Sequence, residues 1–509
     1  MLNLLQKHFG LLILGIAILI GLLSYDQYGI AWDEHSQREI GMVSYEYVFE
    51  NDTTLLNWKD KDYGVAFELP LIFIEKTLGL DNSRHIYLMR HWVAHLFFLI
   101  TGYFLFLLID YLYRNKLLAS IGFLLLLLHP RVYAHSFFNS KDIPFMGMFI
   151  ISLYYMIRAL DSKSILRFIG LGICSGILVN LRLMGILLVL AVLVVLSVDL
   201  LKSSRKKTEL KLMGLYLAFS FLSLYITWPY LWSNPFQNLS TAFENMASFR
   251  WNELVLFEGE LINATNLPWY YIPKWFIIST PLFYLLFGAF GSILLLLHFI
   301  QKPKSFIDNT QKRHNLLFLA FFLVPIIAII ILDSVVYDGW RQLFFIYPPF
   351  ILLAIYGLSH LQTKTKVYKA SLNIVAITIA LSGINIIRTF PFQHVYFNEL
   401  FAFKKEEYLR KHYEMDYWGV SYRQALEYIL SEDPQPNIQV AVANEPGKLN
   451  LDILPIPDRN RIEIVDFESA SYYITNYRWH PQDHSEMKDQ HLHSIHLDGN
   501  TIVSIFKLK

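Results

Sequence analysis

The segment His129-Pro-Arg-Val-Tyr-Ala-His-Ser-Phe-Phe-Asn-Ser-Lys-Asp-Ile-Pro144 stands where one long apolar run of the chain ends and the next begins. Each of the two runs is near the length that spans a bilayer. Ionisable side chains cost free energy at the edge of a membrane, so a cluster of them there calls for a chemical reason. The acidic pair Asp33-Glu34 follows the first apolar run in the same way.

The composition is typical of a protein with many membrane helices. Of 509 residues, 54% are hydrophobic and only 17% are charged, and the charges cluster between apolar runs. About eleven segments are long and apolar enough to span a bilayer. They cover residues 8–25, 86–112, 117–134, 143–160, 168–180, 184–201, 211–230, 271–300, 315–333, 342–360 and 368–387. The predicted fold class is mainly α, a polytopic membrane protein.

Basic residues set the predicted orientation. With a cytoplasmic N-terminus, every predicted inner loop is short and basic, as the positive-inside rule requires. The run Lys202–Lys211 stays inside only if residues 168–180 and 184–201 are separate spans. The outer side then receives the first outer loop 26–85, the turn 135–142 and the tail after residue 388. The first apolar run lacks a small-residue cleavage site and is predicted to be a retained anchor.

The character of the chain changes after residue 388. Residues 421–430 have the pattern of a capped amphipathic helix, and residues 438–443, 462–465 and 471–475 have the pattern of strands. Residues 492–508, interrupted by Asp498-Gly-Asn500, predict a hairpin. The sequence therefore predicts a membrane domain over 1–388 and a small extracytoplasmic α/β domain over 389–509.

Charge and cysteine content exclude some functions. The formal net charge is +1, and no part of the chain carries a basic face that could follow a nucleic-acid backbone. The single cysteine, Cys174, lies inside an apolar run, so no intrachain disulfide can form.

Three acidic positions are candidates for chemistry. Asp33, with Glu34 beside it, is a plausible base for a hydroxyl at the membrane boundary, although a solvated loop start explains the pair as well. Asp142 suits a helix N-cap, and equally a metal ion or a sugar. Asp338 stands three residues before Arg341, so the two form either a salt-bridged cap or part of an anion site.

Several cations break the topology rule by lying at predicted outer ends of spans. Snorkelling or pairing with an acid explains each one singly. Together they fit a shared anion, because arginine and lysine bind phosphate and neutralise a leaving phosphate. These residues are Arg90, Arg131, Lys141, Arg182 and Arg341. His135, close to Arg131 in sequence, is a further candidate to touch substrate.

The combined motifs resemble a known group. An acidic pair in the first outer loop, His129-Pro-Arg131 followed by Asn139-Ser-Lys-Asp-Ile-Pro144, and basic inner loops are similar to the dolichyl-phosphate-mannose–protein mannosyltransferase-like branch of the GT-C glycosyltransferases. Tyr337-Asp-Gly-Trp-Arg341 and Asp416-Tyr-Trp-Gly419 resemble motifs of a bacterial subgroup. A His-Pro-Pro element and an inserted repeat domain of the protein mannosyltransferases are missing, which weakens a protein acceptor and mannose as specific assignments.

The resemblance implies an inverting sugar transferase with a polyprenyl-phosphate donor, in the bacterial inner membrane, with its site facing outward. By that analogy Asp33 is the base and Glu34 supports it. Arg131, Lys141, Arg182 and Arg341 would hold the donor phosphate, and Asp142, Asp338 and His135 would contact sugar, acceptor or a metal. The acceptor is a glycan, lipid or protein, and Mg or Mn is left open as a cofactor. Two alternatives remain: a transporter or lipid flippase, and a non-catalytic assembly subunit.

Overall fold

The computed structural model describes residues 2–247, 251–404 and 406–509. Within these ranges, nine helices are long and apolar enough to cross a membrane: His8–Gln27, Ser83–Tyr113, Asp142–Ser162, Leu183–Lys202, Lys206–Thr227, Leu282–Gln301, Thr310–Ile331, Arg341–Leu361 and Thr365–Arg388. The pair Lys116–Leu127 and Pro130–Phe138, bent by 64°, and the shorter apolar helix Ile165–Leu181 occupy the other predicted spans. The predicted mainly helical fold with many membrane-length helices is confirmed.

Three details differ from the sequence prediction. The predicted span 271–300 divides into helices Tyr271–Ser279 and Leu282–Gln301, because Pro281 lies between them and has no N–H to continue the first helix. The first half of the predicted turn 135–142 belongs to the helix Pro130–Phe138, whose C-cap is Asn139. The first outer loop contains the helices Trp32–Phe49 and Glu68–Thr77.

Glycines allow the membrane-length helices to approach closely. A Cβ on Gly176 would lie 2.3 Å from the carbonyl oxygen of Ser220, and a Cβ on Gly291 would lie 1.8 Å from that of Leu353. Small residues at such contacts permit tight helix packing inside a bilayer, where the hydrophobic effect does not drive helices together. The first contact joins Ile165–Leu181 to Lys206–Thr227, and the second joins Leu282–Gln301 to the helix Tyr347–Leu361.

Two helices lie at the centre of the bundle. The most apolar part of Arg341–Leu361 is 89% buried and that of Asp142–Ser162 is 78% buried, against 17% for His8–Gln27. At one end of Asp142–Ser162, Lys163 pairs with Asp199 at 2.6 Å, and Arg313 pairs with the same carboxylate at 2.6 Å. The other end begins with Asp142, about 30 Å away at 1.5 Å per residue. Polar networks therefore occupy both ends of this central helix.

The C-terminal part forms a mixed sheet from the strands that the sequence predicts. After the small hairpin β1 (Leu254–Phe257) and β2 (Glu260–Asn263), the strands are β3 (Ile438–Val442), β4 (Ile462–Ile464), β5 (Tyr472–Thr475), β6 (His491–Leu497) and β7 (Asn500–Lys507). The spatial order is β4-β3-β5-β7-β6. β3 is parallel to β4 and β5, whereas β7 is antiparallel to β5 and β6.

The sheet is covered by the helix Tyr422–Glu432, which is close to the predicted range 421–430 but has no side-chain cap at Ser421. Its Leu426 and Ile429 share a buried cluster with Val440 and Ile474 of the sheet. The remaining short helices are Pro235–Ala247, Pro303–Asp308, Tyr408–His412, Pro446–Leu449 and Ile456–Arg459.

The C-terminal part packs against residues 26–85, and most of the contacts are hydrogen bonds to backbone groups. The N–H of Trp32 donates to the carbonyl of Trp418 at 3.0 Å. The N–H of Ile30 donates to the Asn450 side chain at 2.9 Å, and Arg423 donates to the carbonyl of Tyr28 at 2.9 Å. These bonds fix the start of the helix Trp32–Phe49, which carries Asp33.

Candidate functional site

Arg341 is buried at the centre of a cluster of carboxylates from three distant parts of the chain. Its Nη2 lies 3.2 Å from Oδ2 of Asp33 and 3.0 Å from Oδ2 of Asp338, and its Nη1 lies 3.2 Å from Oδ2 of Asp142. Its Nε also donates to Asp338 at 3.1 Å. Arginine suits this position because its planar guanidinium presents five donors to several carboxylates at once.

Helix starts place two of these acids. Asp33 is in the first turn of the helix Trp32–Phe49, and Asp142 is the first residue of Asp142–Ser162, where negative charge is favoured by the helix dipole. The N-cap of the second helix is Lys141, so the prediction that Asp142 is an N-cap is wrong. Asp338 lies in the loop before Arg341 with a positive φ of 56°.

Asp142 also contacts a second arginine. Its Oδ1 accepts a hydrogen bond from Arg182, and its Oδ2 accepts one from the Asn139 side chain at 2.9 Å. Arg182 follows the end of Ile165–Leu181, where the extended backbone breaks the apolar segment in two. The break that separates the predicted fifth and sixth spans thus supplies a cation to the cluster.

A third arginine comes from the C-terminal part. Nη2 of Arg478 donates to Oδ1 of Asp338 at 2.8 Å, and its guanidinium lies 4.8 Å from the ring of Trp32. Trp418, from the motif Asp416-Tyr-Trp-Gly419, packs its ring 4.5 Å from the guanidinium of Arg341. Asp416 holds this motif in a turn by accepting the N–H groups of Gly419 and Ser421, each at 2.9 Å.

Lys141 gives the cluster a surplus of positive charge. Its Nζ lies 3.5 Å from the centre of the Tyr63 ring, and it has no hydrogen-bond acceptor among the residues that the structure describes. Burial, followed by repulsion from Arg182, lowers the pKa of Lys141 to about 8. The three carboxylates of the cluster are paired with the guanidinium groups of Arg182, Arg341 and Arg478. Lys141 is therefore an additional positive charge that an anionic ligand could neutralise.

The three carboxylates differ in solvent exposure. The Asp33 side chain is 39% exposed, whereas those of Asp142 and Asp338 are 1% and 5% exposed. Asp33 is therefore the carboxylate that a molecule from outside the bundle can reach. The other two acids are enclosed between arginine side chains and serve to hold them.

Glu34 does not join Asp33 in the cluster. Its Oε2 accepts the N–H of Ala31 at 2.9 Å and lies 3.2 Å from Nε2 of His91, and the side chain is buried. The carboxylate thus satisfies a helix N-terminus. The structure gives Glu34 a capping role, in place of the predicted support for Asp33.

Two further predicted residues form their hydrogen bonds with groups other than the three carboxylates. Nε of the buried Arg131 donates to the carbonyl of Tyr396 at 2.8 Å, and its guanidinium lies 5.1 Å from the rings of Trp275 and Phe397. His135 is buried, with Nδ1 3.2 Å from the Asn139 amide. Through Asn139, His135 supports the turn that presents Asp142.

The remaining cation, Arg90, pairs with Glu68 at 2.6 Å in a buried contact. Pairing with an acid was the simpler explanation offered by the sequence for each cation, and it holds for Arg90. The sequence analysis did not identify three residues at or near the cluster, which are Arg478, Tyr63 and the buried Glu414. Arg478 follows strand β5 in a segment without any motif, so no local signal marked it.

The described residues of this cluster do not have the composition of a metal site. Among the described residues, there is no group of three or more His, Cys, Asp or Glu side chains that could hold a metal ion. The acids that converge here face arginines, which would repel a divalent cation.

A family model matches part of the chain. Residues 83–232 match the model described as dolichyl-phosphate-mannose-protein mannosyltransferase. The match covers less than half of the chain and includes Lys141, Asp142 and Arg182. It confirms the resemblance to mannosyltransferase-like membrane glycosyltransferases that the motifs predict. A comparison with curated proteins found no match.

Several solved structures are similar to the chain. The oligosaccharyltransferase AglB from Archaeoglobus fulgidus, in complex with an inhibitory peptide and a dolichol-phosphate, has 10% identity and a TM-score of 0.48 over 93% of this chain and 70% of its own. ArnT from Cupriavidus metallidurans bound to undecaprenyl phosphate has 13% identity and a TM-score of 0.46, over 98% of both chains. ArnT in the apo state has 12% identity and a TM-score of 0.49, over 98% of both chains. With TM-scores below 0.5, these matches do not by themselves identify a substrate or a mechanism.

Proposed function

We propose that this protein transfers a sugar, with inversion, from a polyprenyl-phosphate-linked donor to an acceptor hydroxyl, and that Asp33 is the base. One observation carries the proposal: the partly exposed carboxylate of Asp33 is held 3.2 Å from the buried Arg341, in a cluster with Lys141, whose Nζ has no acceptor within the described part of the chain. The family match over residues 83–232 supports a glycosyltransferase. The acceptor is a glycan, a lipid or a protein.

The reaction needs one base and a stabilised leaving group. Asp33 takes the proton of the acceptor hydroxyl as that oxygen attacks the anomeric carbon from the face opposite the phosphate. The bond between the anomeric carbon and the phosphate oxygen breaks, and the lipid phosphate leaves with the electron pair. A phosphate leaves as a stabilised anion, so no second carboxylic acid is required to protonate it, unlike the usual glycosidase pair.

Lys141 and Arg182 are the proposed ligands of the donor phosphate. Nζ of Lys141 has no acceptor, and Nε of Arg182 has no partner among the described residues. Both flank Asp142, which keeps them close together. Cations placed at the leaving oxygen stabilise the charge that grows there in the transition state.

The contacts suggest a different role for Arg341 from the one predicted. Its guanidinium is already shared among Asp33, Asp142 and Asp338, so we propose that it orients Asp33 and does not bind phosphate. Arg131 remains a proposed phosphate ligand through Nη2, which has no partner among the described residues. Its stacked position between two rings makes it a second site of contact, separate from the carboxylate cluster.

We further propose the division and location that the sequence predicts. Residues 1–388 would form the membrane domain and residues 389–509 an outer domain, with the carboxylate cluster facing the outside of a bacterial inner membrane. The separation of the Asp142 end from the Lys163 end of one central helix supports a cluster at a single membrane face.

A transfer assay tests the proposal. Purified protein in sealed lipid vesicles is given radiolabelled polyprenyl-phosphate sugars and candidate acceptors, with and without a chelator. We expect labelled acceptor from the wild type and far slower labelling by Asp33→Asn, with donor binding retained. Movement of intact donor across the bilayer without sugar transfer would favour a flippase, and donor binding without turnover would favour an assembly subunit.

A further inference from the structure

A cavity of about 660 Å³ lies beside the C-terminal sheet, outside the carboxylate cluster. Its wall combines flat apolar rings with a few polar groups: Phe467, Tyr473, His480, His484, Glu486 and Gln490. Volume and lining are both in the range of sites that bind small molecules. The proposed reaction does not use this cavity.

His484 supplies a buried polar atom without a protein partner. Its side chain is 8% exposed, and its Nδ1 lies 3.1 Å from Oε1 of Glu486. Burial lowers the pKa of His484, so the neutral imidazole donates from Nδ1 to the carboxylate and leaves Nε2 as an acceptor. Nε2 has no partner among the described residues. A buried acceptor left unsatisfied costs free energy, and a ligand hydroxyl would remove that cost.

The cavity is continuous in sequence with the carboxylate cluster. Arg478 bonds Asp338, and the next residue, Trp479, packs its ring 5.4 Å from that of Trp32, the neighbour of Asp33. His480 then lines the cavity. Consecutive Cα atoms are about 3.8 Å apart, so the Cα atoms of Arg478 and His480 are separated by about 8 Å at most.

The wall favours a neutral polyhydroxyl ligand. Glu468 and Glu486 are opposed by Lys509 alone, so there is no excess of positive charge that would select a phosphate. Hydroxyl groups both donate and accept hydrogen bonds, which matches an imidazole acceptor, a carboxylate and the Gln490 amide. The Tyr473 ring offers a flat apolar surface for the less polar face of a sugar.

We propose that this cavity binds a neutral saccharide unit of the acceptor, as a subsite extending from Asp33 along Arg478–His480. The proposal rests on the proposed sugar transfer, and it narrows the acceptor to one that contains a glycan. An acceptor longer than one sugar would place its reacting end near Asp33 and a more distant unit in the cavity.

Binding experiments on the full chain in nanodiscs test the subsite without catalysis. The probes are the trimer of β-1,4-linked N-acetylglucosamine and a trimer of mannose, titrated by saturation-transfer NMR. Phe467→Ser is compared with Ile456→Ser, because the two side chains are 45% and 46% exposed and only the first lines the cavity. We expect Phe467→Ser and His484→Phe to raise the Kd at least about tenfold, through lost ring contact and a lost hydrogen bond.

Ile456→Ser should bind the trimers as the wild type does. A wild type that binds neither trimer, or equal Kd values for Phe467→Ser and Ile456→Ser, overturns the subsite. Thermal unfolding checks that His484→Phe remains folded, and the exposed His480→Ala replaces it if it does not. Trimer binding through the cavity in a protein that transfers no sugar from any donor would contradict the transfer reaction and leave the saccharide site in place.

Discussion

Arg478 donates to Asp338 at 2.8 Å although the two residues are 140 positions apart in the chain. This bond connects the segment after strand β5 to the loop before Arg341–Leu361. Both side chains are buried, and a buried charge is stable only when it is paired. The C-terminal part therefore completes the charge balance of a cluster whose other members lie in the membrane part.

Replacing Arg478 should disturb the carboxylate cluster without changing Asp33 or Arg341. In Arg478→Met, Asp338 loses one of its two arginines, so Arg341 is drawn toward Asp338 and Asp33 is held less firmly. We expect sugar transfer to fall about tenfold or more, as expected when a catalytic group is misplaced. The control is Arg388→Met, which breaks the more exposed pair with Asp498. Equal transfer rates for the two variants would show that the C-terminal part does not support the site.

Asp33→Asn should remove the proposed base. The amide cannot accept the acceptor proton, and general base catalysis contributes about 10²–10⁴-fold. We expect turnover to fall by that order while the donor still binds, as measured by transfer rate and by equilibrium binding of labelled donor. Asp26→Asn, at a carboxylate in the same loop, is the matched control. Turnover close to that of the wild type would remove Asp33 from the mechanism.

Arg341→Met should destabilise the protein. It leaves Asp33, Asp142 and Asp338 without their shared cation, and removal of one partner from a buried pair costs about 3–5 kcal/mol. The measurement is Tm in one detergent. The double variant Arg341→Met with Asp142→Asn should recover part of the loss, because one buried charge is removed as well. The single variant Asp142→Asn completes the double-mutant cycle, and strictly additive losses of stability would show that Asp142 is not coupled to Arg341.

Donor binding should depend on the charge of Lys141. Burial lowers the pKa of Lys141 to about 8, so the side chain is mostly charged at pH 7 and mostly neutral at pH 9. The affinity of the wild type for the donor should therefore fall as the pH rises through 8. Lys141→Arg keeps its charge and should flatten the profile, while Lys141→Met should be weak at every pH. Parallel profiles for the wild type and Lys141→Arg would exclude the lysine as a phosphate ligand.

Glu414 should make stability pH-dependent. Burial raises the pKa of Glu414 from its ordinary value of 4.5 to about 8, although Arg478 opposes the rise. At pH values between 4.5 and about 8, Glu414 keeps its proton in the native state and loses it in the unfolded chain. The free energy of unfolding therefore falls as the pH rises through this range. Glu414→Gln should match the wild-type Tm at pH 4.5 and exceed it by a few degrees at pH 8. The exposed Glu463→Gln is the control, and identical pH profiles for wild type and Glu414→Gln would contradict the burial effect.

Local patterns predicted the elements well and the partners poorly. Spans and strands were found because hydrophobic length and period are properties of a few consecutive residues. Asp33 and Glu34 are an example of partners that local patterns do not predict. They are adjacent and chemically alike, but successive helical residues point in different directions, so one carboxylate reaches Arg341 while the other turns inward to His91.

The sequence by itself determined the position of most membrane-length helices, the strands of the C-terminal sheet and the set of ionisable residues at the helix ends. Only the tertiary structure decided which of those charges meet. Arg341 was predicted beside Asp338, but its contacts with Asp33 and Asp142, and the arrival of Arg478, depend on how helices far apart in sequence pack. Pairing between buried charges is set by distances of a few ångströms in the folded chain, and sequence separation does not encode those distances.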